Sequence, residues 1–132
     1  MTANTRARLT FVALALGTIA LGLWVHGSGA LGAVARDVLG DALWATMIAW
    51  WIGALTPRTG LAARGGAAFG ICVLVELSQR IHTPWLDAVR ETTMGRLVLG
   101  SGFDPRDIAA YALGVAVAAG SERATRARGS RA

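Results

Sequence analysis

Lysine is missing from this chain, cysteine occurs once, histidine twice, and charged residues of all kinds make up only 16% of 132 positions. Each scarcity excludes something. A single cysteine, Cys72, set in an apolar run, rules out an intrachain disulfide and a thiolate metal site. His26 and His82 are far apart with no ligand spacing around them, so neither a metal centre nor a cofactor is expected. So little charge could barely cover a water-facing surface. What is abundant instead is apolar: 54% of residues are hydrophobic, and the mean hydropathy is +0.49. That composition belongs to the membrane class, and the length allows one domain. All thirteen basic residues are arginine, which, with so much alanine and glycine, points to a GC-rich bacterial genome. The net charge of +5 does not suggest nucleic acid, because the arginines are scattered between apolar runs and massed in the tail.

Apolar runs and stop signals predict an all-α polytopic membrane protein, a bundle of about four transmembrane helices over about 9–25, 31–55, 61–79 and 104–120. They form one domain, 1–120, followed by a basic cytoplasmic tail, 121–132, expected to be disordered. The first run is longer than a signal-peptide core and ends near Trp24, an interfacial anchor, so it is expected to remain uncleaved despite the small residues at 28–30. Thr56-Pro57-Arg58-Thr59-Gly60 stops the second helix. Gly66 and Gly70 in the third give a GxxxG spacing that allows close approach to a neighbour, homo-oligomers included. Between the third and fourth helices, about 84–99 reads as a short amphipathic helix, interfacial or re-entrant. Asp104-Pro105-Arg106-Asp107 opens the fourth helix, with Asp104 as N-cap, Pro105 in the first turn and Asp107 in the capping-box position.

Counting arginines near helix ends gives eight on one side and five on the other, which places both termini in the cytoplasm of a bacterial inner membrane. In either orientation the charged ends of the second, third and fourth helices meet at one face. Asp41, Glu76, Gln79, Asp104, Asp107 and Tyr111 lie on those ends, and Arg90 and Arg96 lie in the loop between. Leaving such charges apart in lipid costs roughly 2.5–3.5 kcal/mol each, so they should pair or line a wet cavity. Arg96 is the expected partner for a carboxylate. Each residue also has a plain structural reading. Asp104 and Asp107 cap a helix, Glu76 pairs with Arg80 one turn on, Asp41 holds Trp44 or a loop amide, Tyr111 sits in the core, and the arginines touch lipid head groups.

Gly40-Asp41 before Leu43-Trp44-Ala45, Glu76-Leu77-Ser78-Gln79, Arg90, the 93–100 run with Arg96, and Phe103-Asp104 with Asp107-Ile108-Ala109-Ala110-Tyr111 and Gly114 form a pattern. It resembles a family of small bacterial membrane proteins of uncharacterised function, distantly similar to VanZ-like proteins, over most of 38–118. VanZ-like proteins similarly carry Glu-x-x-Gln late in one helix and Asp-x-x-x-Asn-x-x-Gly in the next. Tyr111 stands where they have the asparagine. The resemblance implies the fold, the membrane and a connection to the cell envelope, since VanZ-like proteins are associated with glycopeptide resistance.

Four functions compete. A binding or accessory module would hold an anionic or zwitterionic lipid or cell-wall-precursor head group on Arg90 and Arg96, oriented by Glu76, Gln79 and Asp107. A membrane-embedded hydrolase would use Glu76 or Asp107 as general base. It lacks a histidine in the cluster and an evident nucleophile, so the chain leans away from being an enzyme. A transporter subunit is poorly served by four helices without inverted repeats. A structural protein would use the polar residues only to fix helix register. The binding module ranks first.

Overall fold

The computed structural model describes residues 2–100 and 102–129, the last four by their backbone alone. Among them there are six helices and no strand: α1 (Ala3–Gly27), α2 (Ala33–Leu55), α3 (Leu61–Ser78), α4 (Pro84–Glu91), α5 (Thr93–Leu99) and α6 (Pro105–Gly129). By length and composition, α1, α2 and α3 can each cross a membrane. Their surfaces agree. Leu14, Leu21, Leu74 and Leu77 are exposed, while the largest side chain with no exposure at all is Glu76. Apolar groups outside and a carboxyl inside is the reverse of a water-soluble domain.

α2 is the central element, packed on α1, α3 and α6, and α6 also packs on α3. Two apolar clusters fill the bundle. Phe11, Ala15, Trp50, Ala54 and Ala118 pack at one end, and Ala45, Cys72 and Tyr111 with Trp44, Ile48, Phe69 and Val115 pack toward the other. The tightest crossing is between α2 and α6. A Cβ on Gly114 would strike the backbone carbonyl of Ala42, so only glycine admits this approach. Thr46 closes the same junction, its single hydroxyl proton shared between the carbonyls of Ala42 (2.8 Å) and Gly114 (2.9 Å). Gly66 and Gly70, the spacing singled out in the sequence, meet no neighbouring atom within 4 Å of a built Cβ. Small-residue packing inside the bundle falls to Gly53, Gly65 and Gly114 instead.

Several boundaries differ from the sequence expectation. α1 begins at Ala3 because Thr2 caps it, accepting from the Thr5 amide at 3.2 Å. The segment expected as one helix over 84–99 is two, broken at Thr92. That residue ends α4 and caps α5, its hydroxyl accepting from the Gly95 amide at 2.9 Å. α6 does not stop at Gly120. Its helix continues to Gly129 through residues that favour helix, so this part of the expected disordered tail is helical. Of the tail arginines, Arg131 and the side chains of Arg126 and Arg128 lie outside the described residues.

Arg64 shows why that tail is anchored. Counted in the sequence among the arginines at the cytoplasmic helix ends, it is only 3% exposed, paired with Glu122 of α6 and held 4.9 Å above the Phe11 ring. This contact ties α3, α6 and α1 together at the end of the bundle away from Glu76.

Candidate functional site

α3 and α6 run antiparallel, which brings the last turn of α3 beside the first turn of α6. Glu76 sits there, fully buried, and both its carboxyl oxygens are occupied. Oε2 accepts from Gln79 Nε2 at 3.0 Å and from the Tyr111 hydroxyl at 2.9 Å, and Oε1 accepts from the backbone amide of Asp104 at 2.7 Å. Gln79 is one turn along α3 and Tyr111 faces it from α6, so helical spacing places all three polar groups together. The amide of Asp104 is one of the donors that a helix start leaves without an intrahelical partner.

This differs from the expected capping box. Asp104 is the N-cap, its Oδ1 accepting from the Arg106 amide at 2.9 Å, but the reciprocal carboxyl comes from Glu76 on another helix. Asp107 is turned to α2, where its carboxyl meets that of Asp41. Nor does Glu76 pair with Arg80, whose guanidinium stacks 4.1 Å from the centre of the Phe103 ring. On the exposed side of this turn, hydrogen bonds from Arg106 hold the Asp104 carboxyl below its usual range.

Arg90 and Arg96 part company. Arg90 is buried, its Nη1 donating to the Ile81 carbonyl and its Nη2 to the Ser78 carbonyl, both at 2.8 Å. It therefore gives the Ser78 carbonyl, which also accepts from the Ile81 amide at 2.9 Å, a second donor and occupies the Ile81 carbonyl just beyond α3. Asp87 is a longer contact at 3.4 Å. Arg96 is exposed and forms no ion pair among the described residues, so it is not the carboxylate partner the sequence suggested.

Gln79, His82, Asp87, Arg90, Glu91 and Arg96 line an open cleft of about 230 Å³. Two of its wall residues are buried and incompletely bonded: Gln79 Oε1 and Arg90 Nε have no partner. The bond to Glu76 fixes which end of the Gln79 amide is oxygen, so the unpartnered atom is an acceptor. Behind it Gly100 adopts φ +71°, and a Cβ there would run into the Gln79 amide. The backbone turn and the seat for Gln79 both require glycine.

The eight residues singled out in the sequence thus fall into three groups. Glu76, Gln79, Tyr111 and Asp104 form one hydrogen-bonded unit, Asp41 and Asp107 adjoin it, and Arg90 and Arg96 line the cleft that Gln79 shares. Sequence reasoning missed His82, Asp87 and Glu91 as cleft residues and Arg64–Glu122 as a buried pair. The spacing of Asp87, Arg90 and Glu91 on α4 was available as a signal. Nothing local marks the other pair, whose members are 58 residues apart. Among the described residues, no group of three or more His, Cys, Asp or Glu side chains could hold a metal ion.

No solved structure matches the chain. The model of a family described as a protein of unknown function (DUF2809) matches residues 30–115, which take in α2 to α5, the first half of α6 and every residue of the cleft and the Glu76 unit; the chain belongs to that family.

Proposed function

We propose that this is a membrane-embedded binding or accessory module of the bacterial cell envelope, which holds an anionic or zwitterionic head group in the cleft between the end of α3 and the α4–α5 segment. One observation carries the reading: two buried side chains of the cleft wall, Gln79 and Arg90, each keep a polar atom without a partner. A buried group left so costs about 1–3 kcal/mol, which a bound head group offsets once these side chains turn toward the cleft. Arg96, exposed at the rim, adds a charge that no carboxylate among the described residues takes up.

In this reading α6 is a fourth span. Leu113 and Val117 face outward to lipid, while Tyr111, Gly114 and Ala118 face the bundle. α4 and α5 lie at the interface on the outer face, with both termini in the cytoplasm of the inner membrane. The likeness to VanZ-like proteins favours an envelope role. A hydrolase is less well served, because both oxygens of Glu76 are occupied and its side chain is closed to any substrate.

Native mass spectrometry from a mild detergent tests the proposal. The wild type should retain a lipid or precursor bearing a phosphate or similar group. Arg96→Ala should lose it while unfolding at the same temperature, since Arg96 packs against little. Equal retention by both proteins refutes the site.

A further inference from the structure

We infer that the cleft selects a head group carrying a primary ammonium beside its phosphate, the phosphoethanolamine class, presented by a membrane lipid. The inference rests on the head-group reading above and adds its specificity.

Charge is the first argument. The arginines and carboxyls of the lining divide evenly, Arg90 and Arg96 against Asp87 and Glu91, with the His82 ring 3.3 Å from the Asp87 carboxyl. A purely anionic ligand would gain the arginines and be repelled by the two acids. A purely cationic one would meet the opposite conflict. A zwitterion satisfies both sets. Arg90 shares α4 with Asp87 and Glu91 and lies 3.4 Å from the Asp87 carboxyl, so Arg96, which projects from α5, is the arginine set apart from the acids.

The second argument concerns the cation. A quaternary ammonium has no N–H to donate and is recognised by aromatic cages. No Trp, Tyr or Phe lines this cleft. What stands on its wall is two carboxyls, Asp87 and Glu91, with the unpartnered Gln79 Oε1 buried behind them. Those groups suit an ammonium with protons to give.

The source of the head group follows from the outer surface of the same two helices. Trp85 and Val89 of α4 and Met94 and Val98 of α5 are exposed apolar side chains. A cleft of about 230 Å³ takes a small head group but not acyl chains, which would lie along those four residues in the bilayer interface.

The test is retention from an equimolar mixture of dioleoyl phosphatidylethanolamine, phosphatidylcholine and phosphatidylglycerol in mild detergent, read by native mass spectrometry. The wild type should keep phosphatidylethanolamine over each of the others by about fivefold, the scale of one hydrogen bond or ion pair. Glu91→Arg, at an exposed position, should reverse the order in favour of phosphatidylglycerol without lowering the unfolding temperature. Equal retention of the three lipids, or an order that Glu91→Arg leaves unchanged, overturns the specificity. If Arg96→Ala still abolishes that equal retention, the head-group site stands and only its selectivity falls. If retention is indifferent to Arg96, both fall. Free O-phosphoethanolamine binding as tightly as the lipid would overturn the assignment to a membrane source.

Discussion

Glu76 offers a test of what holds the polar end together. Three donors converge on one buried carboxyl, from Gln79, Tyr111 and the Asp104 amide. Tyr111→Phe removes one of them without changing shape. Interhelical hydrogen bonds in membranes average about 0.6 kcal/mol and reach about 1.7. A bond to a charged acceptor is worth about 1.5–3. The two ranges meet near 1.5 kcal/mol, the loss expected here. Glu76→Leu should cost more, about 3–4 kcal/mol, because all three donors lose their acceptor at once and Tyr111 and Gln79 are buried. Glu76→Gln is the informative control. Its amide oxygen can take the Asp104 amide, its NH2 can donate to a rotated Tyr111 hydroxyl, and Gln79 can turn its unpartnered Oε1 to the same NH2. The new amide thus finds partners while the Tyr111 hydroxyl proton and the turned Gln79 amine lose theirs, so the cost should be about 1 kcal/mol, below that of losing the acceptor outright. Cys72 supplies the assay. It is the sole cysteine and fully buried beside Tyr111, so the temperature at which a fluorogenic maleimide labels it reports opening of this half of the bundle. The expected order of stability is wild type, Glu76→Gln, Tyr111→Phe, Glu76→Leu. Glu76→Leu labelling at the wild-type temperature would refute the reasoning, since the donors would then have been satisfied without the carboxyl.

Three further outcomes follow from the packing. Gly114→Ala should lower stability by about 2 kcal/mol in the same labelling assay, because the new methyl meets the Ala42 backbone and cannot be relieved by a side-chain rotation. Glu122→Ala should cost about 3 kcal/mol by stranding the buried Arg64, whereas Arg64→Met with Glu122→Leu should be nearly neutral; equal losses in both would show that shape rather than charge holds this end. Reporter fusions after residues 30, 60, 100 and 132 should read out, in, out, in, and a C-terminal fusion active only in the periplasm would reverse the proposed orientation.

How much of this was legible in the sequence depends on whether the signal was local. Asp104-Pro105 marks the start of α6 because capping is decided within a few residues, and Glu76, Gln79 and Tyr111 share faces that helical spacing gives directly. Choices between partners were not legible. Glu76 had Arg80 four residues away, yet turns inward to the Asp104 amide while Arg80 stacks on Phe103. A carboxyl on a helix face has several acceptable partners, and the tertiary approach of α6 to α3 decides among them. The same holds for Arg64, where a pattern of apolar neighbours cannot reveal that Glu122 arrives from the far end of another helix. Gly66 and Gly70 were the more conspicuous pair, but which glycine faces a neighbour is set by helix rotation, and rotation placed Gly114 against α2.

Arg90 has a mechanical consequence. By gripping the carbonyls of Ser78 and Ile81 it couples α4 to the end of α3, and Gly95, with no room for a Cβ beneath the Val89 carbonyl, couples α5 to α4. The three elements should therefore travel as a single lever. Admitting a guest to the cleft then puts the joint at Gly100, whose φ of +71° ends α5. Stiffening that joint should slow entry and exit of a bound molecule alike while leaving its equilibrium occupancy almost untouched.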